Sequence, residues 1–288
     1  MKNRIVFFVL SGVCMLVAVK GYCKDQLAEK QVVGQCLTVS AGQEQQVLRV
    51  AQICDTQLGG FVSIDTSVAI FENAVRQINA LAPDMVLIAG DMVDNINDDD
   101  EIEAFMRICA RLQVPVLLTP GNHDLLEPVT VQGLAYYRSH FGDDFQVARC
   151  KGYCIVSINT SLWRSPPSEE SSRHDSLLHD ALQQAKTAGE PVVILSHAPP
   201  FVTSVDEDDE YYNLPIANRE KTLRLFEESG VVFWIAGHLH KTLQRNFGQI
   251  AILNGESTCA NFDGHPRGFR LLTVNSDRSF EWEFFTCE

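Results

Sequence analysis

Leu117-Leu118-Thr119-Pro120-Gly121-Asn122-His123-Asp124 is the stretch on which the reading of this chain turns. The apolar run from Val114 to Leu118 reads as a buried strand, and Pro120-Gly121 stops it. An amide, an imidazole and a carboxylate therefore emerge together at the strand's end, where α/β sheets carry their chemistry. Taken alone, Gly-Asn-His-Asp is equally an ordinary polar turn, because these residue types suit turn backbones. The strands around it decide its meaning.

Working outward, the same event recurs. The run Val47 to Cys54 breaks into Asp55-Thr56-Gln57-Leu58-Gly59-Gly60, and Asp84 to Ala89 breaks into Gly90-Asp91-Met92-Val93-Asp94. Pro191 to Ser196 ends at His197, and Gly230 to Ala236 ends at Gly237-His238-Leu239-His240. Apolar spacing predicts helices over Ser67–Leu81, around Val131–His140, over His174–Ala188 and over Pro215–Ser229. A further helix runs from the acidic turn Asp98–Glu101 to about Leu112, with carboxylates where a helix start favours them. A hairpin is predicted through Cys150 to Asn159, and closing strands of an antiparallel part over Ile250–Leu253, Phe269–Val274 and Phe280–Phe285. Strands alternating with helices predict an α/β fold with a largely parallel sheet, whose C-terminal strand ends share one edge. Asp55, Gln57, Asp91, Asn122, His123, His197, His238 and His240 then converge although distant in sequence.

Singly, His238 and His240 would be turn residues and His197 a structural histidine; their joint placement after apolar strands argues for a site. Asp94 reads as a supporting or helix-capping group, and Asn159 as either a member of the same edge or a turn residue. Oxygen and imidazole donors without thiolate suit Mn, Fe, Zn or Mg. Two such cations about 3.5–4 Å apart hold a phosphoryl group from both sides, and Asp91 is the carboxylate placed to reach both.

The chain has 288 residues, 45% of them hydrophobic, enough for one large or two small domains, and it shows no repeat and no separating linker. Its formal charge of −14 argues against a nonspecific grip on nucleic acid or anionic membrane. Neither a phosphate-cradling Gly-rich loop nor a Gly-x-Ser-x-Gly elbow is present, which argues against a kinase or serine hydrolase. Lys2 and Arg4, the apolar run Ile5–Val19 and Lys20-Gly21 form the pattern of an export signal over residues 1–21. Its removal takes away three basic charges and no acid, moving the balance from −14 to about −17. Lipid attachment at Cys23 and a buried N-terminal helix are the alternatives. Residues 22–46 read as a polar leader with a candidate edge strand at its end, and residues 47–288 as the folded domain. No membrane span is expected once the signal is removed, and oligomeric state is not legible.

Nine cysteines fit an oxidising compartment. Cys54 and Cys109 read as buried thiols, whereas Cys150 and Cys154 flank Lys-Gly-Tyr at a hairpin tip and are candidates for a disulfide. The acidic run Asp206–Glu210 reads as a solvated loop, or as one that repels highly anionic substrates beside Tyr211 and Tyr212.

In their order, Asp-x-Gln, Gly-Asp-x-x-Asp, Gly-Asn-His-Asp, a strand-end His and Gly-His-x-His resemble the calcineurin-like metallophosphoesterase superfamily over roughly residues 47–288. The Gln in the first motif, Asp-Glu-Asp-Asp-Glu-Tyr-Tyr and Gly-Phe-Arg near the end are similar to the branch of calcineurin-like phosphoesterase domain-containing, or complete S-transactivated, proteins. Members of that branch are regarded as Ser/Thr protein phosphatases. The resemblance implies a four-layer α-β-β-α sandwich of two mixed sheets. It further implies a phosphorylated substrate and two divalent metal ions, one on Asp55, Gln57, Asp91 and His240, the other on Asp91, Asn122, His197 and His238. His123 is the implied general acid or charge stabiliser, Asp124 the group that orients and charges its imidazole, and a metal-bound hydroxide the nucleophile. Most of the superfamily has His where this chain has Gln57, so the first metal is expected to be weaker or a harder ion, unless Gln57 only hydrogen-bonds a water. Diester hydrolysis, or metal-stabilised binding without catalysis, are the competing functions.

Overall fold

β1 (Leu48–Ile53), β2 (Met85–Ile88) and β3 (Val116–Leu118) lie parallel in the computed structural model, which describes residues 46–125 and 127–287. β10 (Gly268–Val274) and β11 (Phe280–Thr286) extend this sheet antiparallel on the β1 side, giving the order β11-β10-β1-β2-β3. The second sheet is built from β4 (Gln146–Cys150), β5 (Tyr153–Ser157), β6 (Val192–Leu195), β7 (Val231–Ala236), β8 (Leu243–Phe247) and β9 (Ile250–Asn254), in the order β4-β5-β6-β7-β9-β8. β5, β6, β7 and β9 are parallel, with β4 and β8 as antiparallel edges. Both sheets are mixed, and β9 joins its sheet in parallel with β7 rather than in a purely antiparallel part.

The sheets pack face to face through Val50, Leu87, Leu117, Val193, Leu195, Phe233, Leu253 and Leu272. The outer face of the first sheet is covered by α1 (Ile64–Leu81), α2 (Asp99–Cys109) and α4 (Val131–Phe141) through Phe71, Ile78, Phe105 and Tyr137. That of the second is covered by α6 (Glu169–Ala188) and α7 (Ile216–Glu228) through Leu178, Leu182, Leu223 and Phe226. Two short helices, α3 (Asn122–Leu125) and α5 (Ser161–Arg164), complete the described residues. This is the four-layer α-β-β-α sandwich that the motifs implied. Burial on both faces explains why the strands read as nearly unbroken apolar runs.

Caps fix the helix starts. The Asp98 side chain accepts from Asp100 N and Glu101 N, so the acidic turn begins α2 as its charges required. α6 starts five residues before its predicted His174 because Ser168 and Ser171 form a capping box whose polar turn shows no apolar period. β8 was not foreseen, since Leu-Gln-Arg-Asn-Phe pairs with β9 by backbone and buries little but Leu243.

The Cys150–Cys154 bridge is corrected. Lys151 and Gly152 form a two-residue turn with φ of 52° and 82°, pairing Cys150 with Tyr153 and Arg149 with Cys154. Side chains alternate across a strand, so Cys150 faces the inter-sheet core and Cys154 the opposite helical layer. Cys54, Cys154, Cys259 and Cys287 are buried free thiols. The signal segment and all of the leader but Gln46 lie outside the described residues. Among the described residues, no helix is long and apolar enough to cross a membrane.

Polar stitches join the sheets near the strand ends. Ser157 Oγ donates to Leu118 O at 2.5 Å, Thr119 Oγ1 to Ile158 O at 2.7 Å and Gln52 Nε2 to Ala236 O at 3.0 Å. They hold the two C-terminal edges together.

Candidate metal centre

The loops that follow β1 and β2 are zipped side by side: Asp55 N donates to Gly90 O at 3.3 Å and Gln57 N to Asp91 O at 2.8 Å. Asp55, Gln57, Asp91, His238 and His240 all have positive φ, five of the eight such non-glycine residues described. Each such residue costs on the order of 1 kcal/mol, and strain of this kind persists where surrounding contacts over-determine it. Two glycines make the crowding feasible. A Cβ on Gly121 would lie 2.1 Å from Asp91 Oδ1, and one on Gly90, at φ +81°, would lie 2.7 Å from His197 Nδ1.

The expected residues converge. His197 Nε2 lies 3.1 Å from Asp91 Oδ2 and 3.1 Å from Asn122 Oδ1. Donor atoms of Asp91, His197 and His238, all buried, lie within 4.8 Å of one another. On the other flank His240 Nε2 is 3.6 Å from Asp55 Oδ1, while both Asp55 oxygens accept from His238 N at 3.0 Å.

Each histidine is oriented by a backbone carbonyl. The ring N–H groups of His197 and His240 donate to Ala89 O and Ala260 O at 2.7 Å, and that of His238 to Tyr211 O at 3.2 Å. With one ring nitrogen of each committed to a carbonyl, the other is the one left to face a metal once it gives up any proton it carries. Gln57 gives a second sign. Its Nε2 donates to Asp94 Oδ1 at 3.0 Å and faces His123 Nε2 at 3.2 Å, which leaves Oε1 buried without a partner. A buried acceptor so left is costly unless something positive reaches it. The residues present thus fit a pair of oxygen- and imidazole-seeking divalent cations.

Burial opposes ionisation of Asp91, but the adjoining His197 outweighs it and holds the carboxyl well below its usual range. Reciprocally, burial disfavours charge on His197, yet Asp91 prevails and pushes the imidazole up to about 10. His238 is pushed down to about 3 by burial and by the charge of His197. Burial raises Asp55, with His240 and His197 opposing.

His123 stands beside this group, and its backbone N–H donates to Asp91 Oδ1 at 2.9 Å. Asp124 does not orient its ring, which corrects that half of the expectation, although its charge still favours the imidazolium. The Asp124 carboxylate accepts instead from Gly121 N at 2.7 Å, Met92 N at 2.9 Å and Val93 N at 3.4 Å, bracing the loops after β2 and β3. Burial, then Asp91, lifts Asp124 to about 7. The ring is held by Asp94, whose carbonyl accepts from Nδ1 at 2.7 Å and whose carboxylate lies 3.5 Å away. Burial lowers the His123 pKa, but Asp91 and Asp94 override it and raise it.

Several supporting residues escaped the sequence reading. Ser257 Oγ donates to Asp55 O at 2.8 Å and accepts from Cys259 N and Ala260 N, fixing the loop whose Ala260 carbonyl holds His240. Only the polar run Glu256-Ser257-Thr258 after β9, another strand ending in polar residues, signals it. Asn159 turns away from the centre, donating to Asp144 Oδ2 at 2.9 Å. Glu207 is no solvated acid, for it accepts from Val202 N, Thr203 N and Asn213 Nδ2 at 2.7–2.8 Å and pins the loop that carries Tyr211.

The model of the family described as calcineurin-like phosphoesterase matches residues 48–242. The Danio rerio protein named serine/threonine-protein phosphatase CPPED1 is 27% identical over 270 residues, covering 90% of this chain and 86% of that one. A dimetal phosphatase from Danio rerio shares the fold with a TM-score of 0.57 at 16% identity, over 84% of this chain and 99% of the other. Purple acid phosphatase PPD1 from yellow lupin seeds does so with a TM-score of 0.62 at 16% identity, over 85% of this chain and 52% of the other. A family match of that extent, on a chain whose strand ends gather the donors for a metal, means that this protein belongs to the calcineurin-like phosphoesterase family and is a metallophosphoesterase, a phosphoester hydrolase working with two divalent metal ions.

Proposed function

We propose that the chain is an exported phosphomonoesterase whose cations are held by Asp55, Gln57, Asp91 and His240 on one side and by Asp91, Asn122, His197 and His238 on the other. The observation that carries this reading is the placement of Asp91, whose Oδ2 lies 3.1 Å from His197 Nε2 while its backbone carbonyl binds the Gln57 loop. When bound, the cations supply Lewis acidity toward the phosphoryl oxygens and lower the pKa of a water. The chain's own residues do the rest. His123, its Nδ1 fixed on Asp94, its Nε2 3.2 Å from Gln57 Nε2 and its side chain 33% exposed, stands beside these ligands as the proton donor for the leaving oxygen. Relatives named as Ser/Thr protein phosphatases favour a monoester substrate.

Calorimetric titration of the metal-stripped protein with Mn, Mg and Zn, alongside hydrolysis of p-nitrophenyl phosphate and its bis ester, tests the assignment. Two cations per chain are expected, one weaker and restored by Gln57→His, with the monoester preferred. Two equally tight zinc sites would refute the role of Gln57, and absence of metal-dependent hydrolysis would refute the function. Export rests on the basic-apolar-small pattern of residues 1–21. Fractionation with N-terminal sequencing should find the mature chain outside the cytoplasm, beginning after Gly21, and a full-length cytoplasmic chain would refute it.

A further inference from the structure

Seven large apolar side chains among the described residues are exposed, and three of them touch the histidines of the metal centre. Phe262, 65% exposed, stacks on the His240 ring with centroids 4.8 Å apart and planes within 13°. Phe61, 54% exposed, meets His240 and Phe262 edge-on at 5.4 and 5.5 Å. On the other flank Tyr211, 62% exposed, meets His238 edge-on at 4.8 Å.

These rings are held in place rather than dangling. Phe262 N donates to His240 O at 2.8 Å, and the Tyr211 loop is gripped by Glu207 and by buried Arg219, which donates to Leu214 O and Val205 O. Fixed aromatic surface left open to water is surface kept for a flat apolar partner. The adjoining charge says what that partner lacks. Arg164, the guanidinium over Tyr211, is committed to Glu127 at 3.2 Å and to the Asn213 carbonyl at 2.7 Å, while Asp206, Asp208 and Glu210 are exposed along the same loop. A second anionic group on the substrate would meet those exposed carboxylates, with the Arg164 charge already shared with Glu127.

We infer that Phe61, Phe262 and Tyr211 form an aromatic collar that selects phosphomonoesters whose organic group is flat, apolar and uncharged. This rests on the phosphomonoesterase reading and deepens it. The collar acts in binding, so its effect lies in KM.

Benzyl phosphate and n-propyl phosphate release alcohols of similar reactivity, so the ratio of their kcat/KM values reads recognition of the ring. The wild type should prefer the benzyl ester roughly tenfold, and Phe262→Leu and Tyr211→Leu should each bring the ratio toward one by raising KM for the benzyl ester. Leucine keeps bulk over the histidine, and unchanged Mn stoichiometry by calorimetry separates lost recognition from a damaged centre. Binding of phenylphosphonate against methylphosphonate to the Mn-loaded protein gives the same comparison without turnover. A wild-type preference near one in both assays, or a preference untouched by both substitutions, overturns the collar. Phenylphosphonate preference without hydrolysis of either ester would instead sustain the collar and reject the enzymatic reading.

Discussion

Asp91→Asn is expected to lower kcat/KM for p-nitrophenyl phosphate by at least about 10³-fold, and to reduce bound metal from two ions per chain to one or none, with far-UV circular dichroism unchanged. The substitution keeps the shape of the side chain and removes its charge. Asp91 lies where both flanks meet: Oδ2 is 3.1 Å from His197 Nε2, Oδ1 accepts the His123 N–H, and the backbone carbonyl receives Gln57 N. The single amide oxygen of Asn can still accept one of the two side-chain hydrogen bonds, with its NH2 taking the other position, and it is a neutral and poorer donor to a divalent cation. The strands that end at this rim are held by the apolar layers behind them, so the fold survives the loss. Activity within about tenfold of wild type, or two ions still bound tightly, would remove Asp91 from the shared position.

Arg270→Met carries the largest expected cost to folding, about 3–5 kcal/mol. Arg270 and Glu256 are almost wholly buried and paired twice, Nε to Oε2 at 2.5 Å and Nη2 to Oε1 at 2.9 Å. The guanidinium lies 4.1 Å over the Trp282 ring, and Thr242 also donates to the carboxylate. Removing the cation strands a carboxylate in the interior, whereas removing both charges, as in Arg270→Met with Glu256→Gln, should recover much of the loss. pH gives a signature with a definite sign. Burial opposes ionisation of Glu256, but Arg270 outweighs it and lowers the carboxyl pKa, so the wild-type pair contributes stability above the unfolded value near 4.5 and loses it as pH falls through the lower folded value. In the single variant the stranded carboxyl is raised, so its deficit should shrink as pH falls from 7 toward 4.5. Denaturant melts at several pH values measure this, and a deficit constant across that range would contradict the account. Glu256 precedes Ser257, so the same variant should loosen the loop that positions His240.

Much of this molecule was legible because its strands are covered on both faces and its ligand-type residues follow them directly. Runs such as Val47–Cys54 and Gly230–Ala236 announce buried parallel strands, and five of them stop at Asp, Asn or His. What could not be read depends on contacts between distant segments. Asp124 follows His123 in sequence, yet helical geometry carries its carboxylate to backbone amides of the β2 loop, and Asp94 takes the imidazole from across the cleft. No periodicity distinguishes Glu207 from the four acids around it; only its caging by Thr203 and Asn213 does. The cysteine pair, by contrast, could have been resolved from the sequence. A two-residue turn over Lys151-Gly152 fixes the register, and the register sends Cys150 and Cys154 to opposite faces.

Asp55, Gln57, Asp91 and Asn122 hang from the first sheet, while His197, His238 and His240 hang from the second. Any ion lodged among them is a rivet through two leaves that otherwise adhere by grease and a few stitches. Its grip on the assembled leaves, counted as RT ln(1 + [L]/Kd), is withheld from the unravelled polymer. The mineral supply of whatever compartment the protein inhabits thereby governs how long each copy endures, as well as how fast it works.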